Sequence, residues 1–212
     1  MAYCFISDLH LQEGRPDITQ AFVGFLDTTA KKANRLYILG DLFEAWIGDD
    51  LKTELSLIIK EKLSLLNDSS TAIFAMHGNR DFLIGEKFCE DTGVTLIDDP
   101  CKLNLFGKAT LLMHGDLLCT KDVDYQKFRN TSRDPQWRKE FLNKPIEERE
   151  KIAKELRSAS KKATNLKKEE IMDVSPEAVE EIMTSNNVEL LIHGHTHRPK
   201  VHSLEINETP AK

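Results

Sequence analysis

The sequence predicts an α/β fold interrupted by a helical insertion, and three observations carry that expectation. Short apolar runs with strand character alternate with helical patterns up to about residue 120, and the alternation resumes after residue 175. Five of the strand-like runs end in the same kind of polar residue. Residues 121–170 contain no convincing strand and are strongly helical in pattern. With 212 residues the chain has room for one substantial domain, residues 1–212, carrying 121–170 as an insert.

The elements follow in order. "YCFIS", "RLYILG", "TAIFAMHG", "ATLLMHG" and "VELLIHG" are short runs rich in β-branched and aromatic residues and read as buried strands. Between the first two, "PDITQAFVGFLDTTAKKA" places Pro16 near a helix start and Phe22, Phe25 and Leu26 on one face. Residues 51–66 predict a second amphipathic helix and residues 82–92 a third. "CKLNLFGKATLLMHG" has Gly107 between two apolar runs, the pattern of a hairpin. In the insert, Ile152, Leu156, Ala159 and Ala163 recur at spacings of four, three and four, one face of a helix. "SPEAVEEIMTSNN" follows, with Ser175 as cap and Pro176 at the first helical position, and "VHSLEIN" reads as a last strand.

Composition narrows the function. An apolar fraction of 40% suits a folded soluble protein, and no apolar run approaches a membrane span. "MAYCFISDLH" lacks a basic region and reaches an acid at residue 8, so a cytosolic location is expected. The four cysteines are scattered with no CxxC pair, as expected of free thiols. The net charge of −6 argues against a nonspecific nucleic-acid binder. Residues 121–170 run against that balance, with 15 Lys+Arg against 10 Asp+Glu. Such a segment is either a solvated helical face or the docking place of an anion.

The chemistry sits where strands end. Asp8 and His10 follow the first strand, Asp41 the second, Asn79 and Arg80 the third. His114 and Asp116 follow "TLLM", and His195 and His197 follow "VELLIHG". In α/β sheets ligands bind beyond the carboxyl ends of strands, so these groups are placed to converge. Each motif taken singly is also an ordinary strand-to-loop turn. Imidazoles, carboxylates and a carboxamide without thiolate suit hard or borderline divalent ions such as Mn²⁺, Fe²⁺ or Zn²⁺. Seven candidate ligands exceed the need of one ion with an open position and suit two ions sharing a carboxylate.

"D-L-H", "G-D-L-F", "G-N-R-D", "M-H-G-D" and "G-H-T-H" together resemble the calcineurin-like metallophosphoesterase signature over residues 8 to 197. The resemblance implies a four-layer αββα sandwich with two mixed β-sheets and a dinuclear centre. It implies that Asp8, His10, Asp41 and His197 hold one ion, with Asp41 bridging to a second held by Asn79, His114 and His195. His193, His77 and His202 are then expected to pack or hydrogen-bond elsewhere.

Arg80 stands where many members of that family carry a histidine able to protonate a leaving alkoxide. An arginine holds its proton too tightly for that role but clamps phosphate well. Such a site suits a leaving group that needs no proton, such as a phosphate departing from a pyrophosphate. "FISDLHL", "LGDLFEAWIGDD", "HGNRDFLIG", "IMDV" and "LIHGHTHRP" are similar, more closely, to the UDP-2,3-diacylglucosamine diphosphatases of lipid A biosynthesis. That likeness implies Mn²⁺-dependent attack of water on the α-phosphorus, giving UMP and 2,3-diacylglucosamine 1-phosphate. It implies substrate contacts at Asn79, Arg80, Asp122, Ser160, Thr164, Lys167 and His195, with the insert as a lid over the site. The family often has Asn where this chain has Thr164. Phe128, Trp137 and Phe141 are placed either to line an acyl groove or to form the core of the lid.

A lipid-linked nucleotide sugar as substrate implies peripheral contact with the cytoplasmic face of an inner membrane, no nucleic acid and no protein partner. The likeness also implies some further chain beyond Lys212. Two competing readings are a broad nucleotide or cyclic-nucleotide phosphodiesterase on the same dinuclear site, and a noncatalytic scaffold. Arg80 and the basic insert count against the first. The full ligand set counts against the second.

Overall fold

The computed structural model of the chain describes residues 1–166, 171–206 and 209–211. Two sheets lie back to back with helices outside them. The first sheet joins β1 (Tyr3–Ile6), β2 (Arg35–Ile38), β3 (Ala72–Ala75) and β4 (Thr95–Leu96) in sequential order. The second joins β5 (Cys101–Leu105), β6 (Lys108–Met113) and β7 (Leu190–His193). A further pair, β8 (Leu204–Ile206) and β9 (Thr209–Ala211), is antiparallel.

The α/β sandwich expected from the sequence is present, with one correction. The first sheet is parallel in every pairing, not mixed. The reason lies in the connections: α1 (Pro16–Thr28), α2 (Glu54–Asp68) and α3 (Glu86–Thr92) each return the chain to the starting edge before the next strand. The second sheet is mixed, because the β5–β6 hairpin is antiparallel while β7 arrives alongside β6 in parallel after a long excursion.

Period-2 alternation sorts the side chains into layers. Leu36 and Ile38 of β2 face α1 and α2, packing with Phe22, Leu26, Ile59 and Leu63. Tyr37, between them, turns to the other sheet with Phe5 and Phe74 stacked on either side at 5.1 and 5.0 Å. Leu112 of β6 meets that inter-sheet layer, whereas Leu111 and Met113 face Met183 and Ile182 of α7 (Pro176–Asn186). Helix, sheet, sheet, helix is the resulting order. Each fully buried Leu or Ile in it contributes roughly 1.5–3 kcal/mol.

Helix boundaries follow capping. Thr53 forms a capping box with Ser56, so α2 begins at Glu54 and not at residue 51. The third helix is shorter than the expected 82–92, starting at Glu86. Its cap comes from a distant residue: Asp49 accepts from the amides of Gly85 and Phe88 at 3.1 and 2.9 Å. Phe82, Leu83 and Ile84 are buried in the preceding loop. Ser175 accepts from Ala178 N and caps α7, with Pro176 next. Among the described residues, three α-helices occupy the excursion between β6 and α7: α4 (Val123–Arg133), α5 (Pro135–Leu142) and α6 (Ile146–Leu166). No helix among the described residues is long and apolar enough to cross a membrane. The four cysteines are free thiols.

Candidate metal centre and substrate cavity

The loops beyond β1 and β2 continue to pair after the strands end. His10 N donates to Asp41 O at 3.0 Å, Leu11 N to Leu42 O at 2.9 Å, and Glu44 N to Leu11 O at 3.0 Å. This extension carries Asp8, His10 and Asp41 to one end of the sandwich. The loops after β3, β6 and β7 bring Asn79, His114, His195 and His197 to the same end. Gly40, at φ +88°, permits the crowding, since a Cβ there would collide with His114 and the backbone of Gly78.

Backbone strain marks the place. Asp8, His10, Asp41, His195 and His197 all adopt positive φ, between 49° and 70°. Such conformations cost on the order of 1–3 kcal/mol each and persist where the surroundings enforce them. Asp81 supplies part of the enforcement. Wholly buried, it accepts from Gly78 N at 2.8 Å and Leu42 N at 2.7 Å, fixing the turn that presents Asp41.

All seven residues expected as ligands meet. Donor atoms of Asp8, His10 and His197 lie within 4.8 Å of one another, as do those of Asp8, Asp41 and His114. Asp41 faces both groups, with Oδ2 3.6 Å from His10 Nε2 and Oδ1 3.9 Å from His114 Nε2. Asn79 Oδ1 lies 3.0 Å from both His114 Nε2 and His195 Nδ1. His10 Nε2 and His197 Nε2 stand 3.1 Å apart. The other ring nitrogen of His114 faces the Leu39 carbonyl at 2.9 Å, which fixes the tautomer that leaves Nε2 toward Asp41. Of the other histidines, His193 bonds Gly194 O, His77 bonds Ile84 O, and His202 is exposed.

These donors fit divalent cations. Two imidazole nitrogens at 3.1 Å, and two more on one amide oxygen, crowd lone pairs that a cation would reconcile. Asp8 Oδ1 is buried without a hydrogen-bond partner among the described residues. Burial pushes the Asp41 carboxyl up to about 6, although His114 opposes the shift, so a cation beside this carboxylate would offset the cost of burying its charge. Burial, with His114 adding to it, pulls His195 down to about 4, which keeps its ring neutral and able to ligate.

Glu44 was not legible as a site residue. Its Oε2 is 2.9 Å from His10 Nδ1 and its Oε1 2.6 Å from Arg157 Nη2 on α6. Burial would raise its carboxyl, but the contact with His10 and the charges of Arg80 and Arg157 outweigh that and hold it low. The Asp116 carboxylate, fully buried, accepts from Tyr125 Oη at 2.5 Å and from Arg129 Nε at 2.9 Å. It faces helix α4, outside both donor groups.

A cavity of about 320 Å³ opens beside this centre, between the core and the inserted helices. Asn79, Arg80, Asp122 and Ser160 line it. Asp122 also caps α4, accepting from Tyr125 N at 3.1 Å. Arg80 Nε is buried without a hydrogen-bond partner among the described residues. The far wall is apolar: Phe128, Trp137 and Phe141 line it together with Leu156, Ala159 and Ala163 of α6. Phe141 belongs to the main core as well, so lining and packing are both served. Thr164 lies in α6 but its side chain is outside the described residues, as is Lys167 altogether.

Comparison with known proteins agrees with this architecture. The calcineurin-like phosphoesterase family matches residues 1–199. A UDP-2,3-diacylglucosamine hydrolase from Marinobacter nauticus is 53% identical over 212 residues, covering 100% of this chain and 87% of that protein. One from Pseudomonas entomophila is 53% identical, covering 98% and 86%, and one from Chromohalobacter salexigens 50%, covering 100% and 86%.

Proposed function

The chain belongs to the calcineurin-like phosphoesterase family, and from that premise we propose that it hydrolyses the pyrophosphate of UDP-2,3-diacylglucosamine at a dinuclear centre. The observation that carries this reading is the adjacency of the seven-residue donor cluster to a largely apolar cavity that Asn79 and Arg80 also line. Asp8, His10, Asp41 and His197 would hold one ion, and Asp41, Asn79, His114 and His195 the other. Two bound divalent ions, with Mn²⁺ the proposed pair, lower the pKa of a water and polarise phosphoryl oxygens.

The protein's own groups do the rest. Arg80, with an unsatisfied buried Nε, turns toward the cavity and is suited to hold a phosphate by charge and geometry. It donates no proton, so the departing group must leave as an anion, and a sugar 1-phosphate does. His195, held neutral, keeps a lone pair for a cation. The apolar wall of Phe128, Trp137 and Leu156 accepts acyl chains and excludes water from them. Asp122 and Ser160 on the cavity wall, with Thr164 and Lys167 further along the insert, are proposed to orient the sugar.

The insert, 121–170, then acts as a lid. Its exposed Lys151, Lys154, Lys161 and Lys162 suit an anionic bilayer surface, each contributing about 1 kcal/mol when near it. A peripheral place on the cytoplasmic face of the inner membrane follows from that substrate.

The test is to incubate the protein with Mn²⁺ and the diacylated nucleotide sugar in ¹⁸O-water and weigh the products. UMP carrying the label, with unlabelled 2,3-diacylglucosamine 1-phosphate, is expected from attack at the α-phosphorus. Label in the sugar phosphate would overturn the mechanism. Turnover of a simple aryl phosphodiester with none of the lipid would overturn the substrate.

A further inference from the structure

Glu44 is three residues beyond Asp41 and reaches the candidate centre from behind. The pairing of the two strand-end loops places it there: Glu44 N on Leu11 O sets its Cα beside the His10 turn. One carboxylate oxygen lies 2.9 Å from His10 Nδ1, the ring nitrogen remote from Asp41 and His197. The other lies 2.6 Å from Arg157, which arrives from the inserted helix α6, 113 residues later. Glu44 is four-fifths buried at this junction and lines the cavity.

Those three contacts form a chain from lid to centre. Glu44 Oε2 meets His10 Nδ1 at ion-pair distance but off the line of a hydrogen bond, so it acts on the ring by charge. That charge favours the tautomer with the proton on Nδ1, leaving the Nε2 lone pair aimed at Asp41 Oδ2 and His197 Nε2. It also makes the ring a stronger donor. A carboxylate can rotate away from such a task, and Arg157 prevents this by holding the second oxygen. His114 achieves the same orientation through a backbone carbonyl, which no other element of the chain can swing. His10 therefore depends on a side chain, and that side chain depends on α6.

We propose that Glu44 is a positioning residue for His10, fixed in turn by Arg157, so that seating of α6 on the core raises the affinity of the His10 half of the centre for a divalent cation. The proposal rests on the dinuclear reading above, and its test separates the two.

Mn²⁺ alone, without nucleotide, is titrated into the full-length protein by calorimetry, and the number and affinity of bound ions are compared among variants. Glu44→Gln, which conserves shape, is expected to weaken one ion about tenfold or more and leave the other unchanged. Arg157→Gln is expected to weaken the same ion by a smaller factor. The double variant is expected to be no weaker than Glu44→Gln, because Arg157 acts through Glu44. Wild-type affinity for both ions in Glu44→Gln would overturn the proposal, as would losses that simply add. Should Glu44→Gln fail to fold, Arg157→Gln decides alone, and unchanged binding in it is the negative result. If the wild type itself binds fewer than two ions, the dinuclear reading falls and the proposal with it. His10→Ala is the control: if it keeps both ions, His10 is no ligand and the proposal falls. If it loses one while Glu44→Gln loses none, only the proposal falls.

Discussion

Helices α4 and α6 both roof the cavity, yet the core holds them by different means. α4 presents Tyr125, Arg129 and Arg133 at spacings of four, a single face, together with Gln126. Tyr125 and Arg129 converge on the fully buried Asp116 carboxylate, Gln126 on its carbonyl at 2.8 Å, and Arg133 on Gly78 O at 2.8 Å. Arg129 also reaches Asp99, 3.3 Å away. α6 has 21 residues but two ionic attachments to the core among the described residues. Arg149, itself buried, forks onto Asp50 and the Ile47 carbonyl, and Arg157 meets Glu44. Past Arg157, Ala159 and Ser160 are exposed and border the cavity. The roof thus has one helix nailed into the interior and one fastened by ion pairs at Arg149 and Arg157, with Ala159 and Ser160 beyond them on the open cavity. Among the described side chains of α6, those past Arg157 make no ion pair with the core.

The sharpest way to break this contrast is Asp116→Asn. It leaves the neighbouring guanidiniums in the interior with half their compensation, the case in which removing one partner of a buried pair costs about 3–5 kcal/mol. For a domain of this size that is a fall in melting temperature of roughly 10 °C, read by calorimetry on the metal-free protein. A loss within a degree or two would mean that α4 is held by its apolar contacts alone.

Acid provides a second handle on the same anchor. Burial would raise the Asp116 carboxyl, but His114 and Arg129, then Tyr125 and Arg133, outweigh it and hold it at about 2. A carboxyl depressed on folding contributes stability that is complete above its unfolded pKa, near 4, and is lost as pH falls toward 2. The expected loss from this group across that window is roughly 2 kcal/mol. Urea midpoints at pH 5, 4, 3 and 2 should fall more steeply for the wild type than for Asp116→Asn, which has no such proton to take up. Parallel curves would show that Asp116 does not carry the anchor's charge.

The convergence of the candidate donor residues was legible in the sequence because each member sits one to four residues past a strand that the apolar pattern already reveals. What supports the cluster was not. Asp81 is printed in the same motif as Asn79, yet its role depends on the Leu42 amide, 39 residues away. Glu44 follows "GDLF" as an unremarkable acid until α6 delivers Arg157. The Asp116–Arg129 pair joins a strand end to a helix whose docking no periodicity could specify. Strand direction was hidden for a similar reason, since a four-residue apolar run reads the same in either sense and its connections decide. The start of α3 was set by Asp49, a cap borrowed from another loop. Chemistry that a strand end presents by itself can be read locally, whereas chemistry that needs a partner from across the fold cannot.

The smallest effect expected is the most informative about α6. Arg149→Met removes a buried charge whose partner, Asp50, has 59% of its side chain exposed. The carboxylate left behind returns to water, so no buried charge is stranded, and a methionine fills much of the vacated volume. The remaining cost is the Ile47 carbonyl, which loses its 2.7 Å donor. An unmet buried acceptor costs about 1–3 kcal/mol, and relief of the arginine's own desolvation offsets part of it. Gly48, at φ +135°, exists at this point to let the guanidinium pass, because any Cβ there would collide with it. The expected net loss is therefore about 1 kcal/mol, several-fold below that of Asp116→Asn, measured side by side in urea. If the two substitutions cost the same, α6 is bound to the core as firmly as α4, and the asymmetry of the roof disappears.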